Sequence, residues 1–110
     1  MRRNSLSKEK DILRVLKGRP FFSKYFTIKA KKETTINEYH YTIIVSKKVL
    51  KFAVDRNKFK RRIRSVIISQ NENINNKIEF VVIAKKGVEK AEFLELKREV
   101  LFGLKKLNII

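Results

Sequence analysis

The chain has 110 residues, 43% of them apolar, with 28 Lys and Arg against 11 Asp and Glu for a net charge of +17. That length gives one domain with a modest core, and the apolar content excludes a disordered chain. There is no cysteine, which excludes a disulfide frame and a thiolate metal site. So large a positive charge is not needed to bind magnesium, ATP or a small metabolite, but it suits a long polyanion, through counterion release. A membrane surface is the rival polyanion and would want a helix with a large exposed aromatic or leucine face. No stretch approaches the roughly 20 apolar residues of a membrane span. Met1-Arg2-Arg3-Asn4-Ser5 is basic but leads into no apolar run, so it does not read as a signal peptide. These features give the expectation of a cytoplasmic protein.

Residues 1–6 read as a mobile basic arm. Ser7 is placed to cap a helix with Glu9 in its first turn, and Ile12, Val15 and Leu16 form its apolar face. Gly18 and Pro20 stop it. From Phe21 to Lys31 the period changes to two. Phe26, Ile28 and Ala30 form a dry face, and Tyr25, Thr27, Lys29 and Lys31 form a basic, partly aromatic one. Such a face suits unpaired nucleic acid, by stacking and phosphate contact. Tyr25 has a second reading, a ring covered by the first helix. Residues 32–38 are polar and read as a hairpin connection to a second strand at 39–46.

Residues 46–64 hold nine Lys and Arg in nineteen positions and one acid, Asp55. Phe59, Ile63, Val66, Ile67 and Gln70 fall on one side of a helix. Asn57, Lys58, Arg61, Arg64 and Ser65 fall on the other, with Lys60 and Arg62 flanking the apolar stripe. Asp55 reads as the N-cap. Arg56 then opposes the helix dipole, which suggests a role outside the helix. The nearly single-signed face continues upstream into Lys47, Lys48 and Lys51 and points to RNA or DNA contact rather than to an ordinary solvated surface. Residues 71–77 form a polar turn. Residues 79–85 are an almost unbroken apolar run, which predicts a central strand covered on both faces. A last helix is predicted from about 89 to 106, with Phe93, Leu96, Val100, Leu104 and Leu107 as its stripe and Lys105 and Lys106 at its C-terminus.

The predicted order is α-β-β-α-β-α, with room for one more short strand: a single α+β domain, a two-layer sandwich on a small mixed sheet. No self-contained catalytic site is legible. His40, the one histidine, sits inside a strand, the acids are scattered, and Gly18, Gly87 and Gly103 are too far apart for a phosphate loop.

Ser46-Lys47-Lys48 followed by Ala53-Val54-Asp55-Arg56-Asn57-Lys58-Phe59-Lys60-Arg61-Arg62-Ile63-Arg64 resembles the central motif of the bacterial ribonuclease P protein subunit. Residues 11–18, 80–84 and 93–96 are similar to that family's first helix, buried strand and last helix. The chain departs from the pattern at Lys58, where the family has Arg. It has Leu50 and Lys51 in a loop where the family has Gly, and Ile12 and Leu16 where it shows Phe. The resemblance implies a left-handed crossover, which is rare. It also implies partnership with a catalytic RNA and with precursor tRNA. The RNA would supply Mg²⁺-dependent hydrolysis of the phosphodiester that releases the 5′ leader. Carried over by position, Lys47, Lys48, Arg56, Asn57, Lys58, Lys60, Arg61, Arg62 and Arg64 would contact the RNA subunit. A cleft holding Ile12, Leu16, Tyr25, Thr27 and Lys29 would take the leader. No protein partner and no catalytic or metal-ligating protein residue is implied. The other readings are a ribosomal or other structural-RNA-binding protein, a major-groove DNA binder and a free-standing nuclease. Precursor tRNA incubated with and without the RNA subunit separates them.

Overall fold

The structure, a computed structural model, describes residues 5–110. Helix α1 is Glu9–Val15, β1 Arg19–Phe22, β2 Phe26–Lys32, β3 His40–Ile44, α2 Ala53–Ser69, β4 Ile78–Ala84 and α3 Phe93–Lys106, with single 3₁₀ turns at Asn71–Asn73 and Val88–Lys90. The sheet order is β1-β2-β4-β3. β1–β2 and β2–β4 pair antiparallel and β3–β4 parallel, so the sheet is mixed. A parallel pair needs a crossover, and α2 supplies it between β3 and β4.

β4 occupies the centre because its residues tolerate no solvent on either face. Phe80, Val82 and Ala84 meet the core formed with α2 and α3. Val81 faces the other way, against Leu6 and Val15, with Ile12, Leu16 and Ile83 packed around them. The main sandwich is thus the sheet against α2 and α3, and α1 covers part of the opposite face. This central placement overturns the expected hairpin between the second and third strands. β4 lies between β2 and β3, so residues 33–39 bridge over it. The more polar alternation of β2 and β3 suits strands that flank the apolar one.

Other local expectations are also corrected. The segment 21–31 is two strands, because the chain reverses at Ser23-Lys24-Tyr25. Pro20 then falls in edge strand β1, where a missing N–H does least harm. Lys8, not Ser7, stands at the N-cap of α1, and Phe52, not Asp55, at that of α2. Neither makes a side-chain cap bond, and Asp55 lies inside the first turn of α2. Of the expected mobile arm, residues 1–4 lie outside the described residues. Ser5 bridges to Tyr41, the Leu6 N–H donates to the Tyr41 carbonyl, and the Leu6 side chain is buried. Gly18 joins α1 to β1 so tightly that a Cβ there would sit 2.2 Å from the Ala30 carbonyl oxygen.

Candidate RNA interface

The apolar stripe of α2 behaves as its spacing requires: Phe59, Ile63, Val66 and Ile67 are buried. This fixes the rotation of the helix, and Asn57, Lys58, Arg61 and Ser65 face solvent with Lys60 and Arg64 half-buried beside them. Among the described residues no cation of α2 is paired with a carboxylate within 4 Å. Two of the predicted contact residues have work inside the protein. The Arg56 Nη1 donates to the carbonyls of Leu50 (2.9 Å) and Lys51 (2.8 Å). It therefore fastens the preceding loop to the helix, a role its sequence position did not reveal. The Arg62 guanidinium lies 5.8 Å from the Phe93 ring centroid and joins α2 to α3.

The loop itself is a compact turn. The Ser46 carbonyl accepts from the N–H groups of Val49 and Leu50, and the Leu50 side chain is buried in the core. Leu50, which replaces glycine in the family pattern, thus anchors the loop from within, and Lys47 and Lys48 are left exposed at its tip. The result is a strongly basic surface from Lys47 to Arg64, in which Asp55 is the one acid of the stretch and Glu89 lies beside Lys58 and Arg62.

The second candidate surface lies on the other side of the sheet. Register places Phe22, Thr27, Ile83 and Ile44 in one row across the four strands. Pro20, Lys29, Val81 and Thr42 form the next, and Lys31, Glu79 and His40 the third. Helix α1 sits over this face, with Ile12 and Leu16 half-buried toward Ile83. Ile12, Leu16, Thr27 and Lys29 therefore lie on one side of the sheet, where the candidate cleft is expected. Thr27 is its recessed floor at 8% exposure, and Lys29 is half-exposed. Tyr25 does not belong there, and neither reading of it holds. The hairpin at 23–25 breaks the alternation, so its ring enters the main core and its hydroxyl donates to Glu95 Oε1 of α3 at 3.0 Å. Phe22, Ile83 and Ile44 are cleft residues that sequence reasoning passed over. Only the strand pairing shows that they share a face.

One buried carboxylate governs the position of α1. Glu79, with a side chain 4% exposed, accepts from Arg14 Nη2 of α1 through Oε1, and His40 Nδ1 lies 3.7 Å from its Oε2. Arg14 also reaches Asp11 at 3.3 Å and Glu33 at 3.8 Å. The hydrogen bond to Glu79 holds the Arg14 guanidinium above its already high ordinary pKa. Glu33 is held below the usual carboxylate range, chiefly by the Thr35 hydroxyl at 2.9 Å and secondarily by the Thr35 N–H. These three acids are the ones nearest one another in this region, and Arg14 stands between them, so they do not make a cation site. Among the described residues no group of three or more His, Asp or Glu is placed to hold a metal ion. No helix of the described residues is long and apolar enough to cross a membrane.

Comparison with known proteins agrees with this architecture. Residues 1–108 match the family model described as Ribonuclease P. The ribonuclease P protein component of Streptococcus pneumoniae strain Hungary19A-6 is 37% identical over 101 residues, covering 91% of this chain and 80% of that protein. The solved structure of Staphylococcus aureus RNase P protein superposes with a TM-score of 0.89 at 26% identity, covering 98% of each chain. That of Thermotoga maritima superposes with a TM-score of 0.81 at 26% identity, over 94% of this chain and 97% of that one. The basic helix on the crossover, the cleft under α1 and the match over nearly the whole length place this chain in the ribonuclease P protein family.

Proposed function

We propose that the protein is the accessory subunit of a ribonucleoprotein endonuclease that removes the 5′ leader from precursor tRNA in the cytoplasm. The RNA subunit carries the chemistry and its Mg²⁺. The observation that carries this reading is the segregation of two surfaces. The solvent face of α2, with Lys47 and Lys48, is a surface in which cations far outnumber acids, suited to gripping the phosphates of a folded RNA. The surface carrying Ile12, Leu16, Thr27 and Lys29 combines apolar, hydroxyl and cationic groups, suited to an unpaired strand.

In this arrangement Arg61, Lys58, Lys60 and Arg64 hold the RNA subunit, and Lys58 does so as a point charge rather than a guanidinium fork. Arg56 acts mainly by presenting Lys47 and Lys48. The cleft binds the leader beside the scissile bond, which tightens precursor over mature tRNA and lowers the RNA's demand for Mg²⁺.

The test is a pair of titrations for Arg61→Ala and Lys29→Ala. Arg61→Ala is expected to weaken binding of the RNA subunit by about 1–3 kcal/mol, whatever the leader. Lys29→Ala is expected to leave assembly intact and weaken precursors with long leaders only. A protein that binds structural RNA without a part in cleavage would show no dependence on leader length in either variant.

A further inference from the structure

We propose that Phe22 is a binding site for one unpaired nucleobase, a stacking platform at the open end of the cleft. This rests on reading the cleft as the leader site. Phe22 is 68% exposed, more than any other phenylalanine among the described residues. Single exposed apolar residues are common and need no function. Its neighbourhood is what distinguishes this one. The adjacent Phe21 turns the other way and packs edge-on against Phe102 at 5.6 Å. Phe22 is left on the α1 face, paired across the strands with Thr27 and one row from Lys29.

A cation already covers one face of the ring and leaves the other face for a base. Lys85 Nζ donates to the Ser23 carbonyl at 2.8 Å and lies 5.5 Å from the Phe22 ring centroid. A ring with a held ammonium group is the pair that recognises single-stranded nucleic acid: the ring takes a base face and the cation a phosphate. The cleft wall from α1 offers only the aliphatic Ile12 and Leu16, and Tyr25 is committed to α3. The phenyl ring at this end therefore falls to Phe22. Strand addition is a poor alternative use of this edge. β1 is four residues long and contains Pro20, which lacks the N–H a pairing strand needs.

The experiment uses the protein assembled with its RNA subunit and precursor tRNAs with leaders of one or several nucleotides. Phe22→Ala is expected to weaken the long-leader precursor about 5- to 100-fold, the range of one lost stacking contact. Phe22→Trp should retain affinity, and the one-nucleotide leader and mature tRNA should not sense the change. A 2-aminopurine base moved along the leader should be quenched at one position, and Phe22→Ala should abolish that quenching. An abasic nucleotide at that position should erase the difference between Phe22→Ala and the unsubstituted protein, which a purely structural loss would not do. If Phe22→Ala binds the long-leader precursor at full strength while Lys29→Ala still discriminates leader length, the stacking site is wrong and the cleft reading survives. If no variant discriminates leader length, both fall.

Discussion

Replacing Arg14 with Met removes the partner of a carboxylate that the fold has taken out of water. The Glu79 side chain is 4% exposed, and after the change the charged group near it among the described residues is His40, with Nδ1 at 3.7 Å. Breaking a fully buried pair from one side costs about 3–5 kcal/mol. Arg14 is itself 35% exposed, so solvent already screens part of the attraction, and about 2–3 kcal/mol is the appropriate figure. The contacts of Arg14 with Asp11 and Glu33 lie toward solvent and add little. Glu79→Gln leaves Arg14 free to reach water and should cost about 1 kcal/mol. The double variant should therefore be more stable than the sum of the two losses by about 1–2 kcal/mol. Urea unfolding followed by circular dichroism measures all three, provided the denaturant slope stays constant. Because the pair ties α1 to β4, Arg14→Met should also weaken long-leader precursors more than it weakens assembly with the RNA subunit. A loss below about 0.5 kcal/mol, or strict additivity with Glu79→Gln, would mean that Ile12, Val15 and Leu16 hold the helix unaided.

Binding to the RNA subunit should fall about 10³–10⁵-fold between 50 and 200 mM salt if roughly 6–10 phosphates are neutralised; a flat titration refutes the phosphate-gripping surface. Gly18→Ala would place a methyl 2.2 Å from the Ala30 carbonyl oxygen and 3.0 Å from that of Val15, both backbone atoms with little room to move. It should cost at least about 1–3 kcal/mol in a urea titration, and near-neutral stability would show that the α1–β1 junction is looser than described. Thr35→Val should raise the pKa of Glu33 by removing the hydroxyl that holds it down. A depressed carboxylate pKa stabilises the fold above the unfolded value and loses that contribution as pH falls through the folded one. The stability difference between Thr35→Val and the unsubstituted protein should thus be present at neutral pH and vanish in acid, with carboxyl NMR titration reporting the shift itself.

The parts of the fold legible in the sequence were those in which one periodic pattern had one use. The stripe of α2 from Phe59 to Ile67, the apolar run of β4 and the stripe of α3 from Leu96 to Leu104 each had a single geometry that buries them, and they are buried so, whereas Phe93 at the start of α3 is exposed. What escaped depends on pairing between distant segments. The order β2-β4-β3 is not written in residues 32–38, whose polarity is equally compatible with a hairpin or a bridge over a neighbouring strand. Tyr25 was misplaced because alternation was carried through a reversal that no glycine or asparagine announced. The burial of Glu79 was likewise not legible, since it is the arrival of Arg14, 65 residues earlier, that makes it tolerable. Arg56 illustrates a different limit. Its position against the helix dipole is met inside the protein by two loop carbonyls, which no pattern in the sequence announced.

The two proposed RNA surfaces are coupled only through the sheet. Arg61 stands on a helix held to one sheet face through Phe59, Ile63, Val66 and Ile67. Lys29 stands on the opposite face, in the row of Val81 and Thr42. Between them lies β4, the strand with the least solvent on either side and with hydrogen-bonded partners on both edges. A strand so enclosed has little freedom to transmit a shift, since its neighbours are close-packed on both faces. No hydrogen bond, ion pair or ring contact links the two residues. Arg61→Ala and Lys29→Ala should therefore act independently. Their combined effect on binding of a long-leader precursor to the assembled enzyme should equal the sum of the single effects within about 0.5 kcal/mol. A larger coupling would show that the leader and the RNA subunit meet each other across the protein, or that both grip one surface, and the division of the sheet into two sites would not stand.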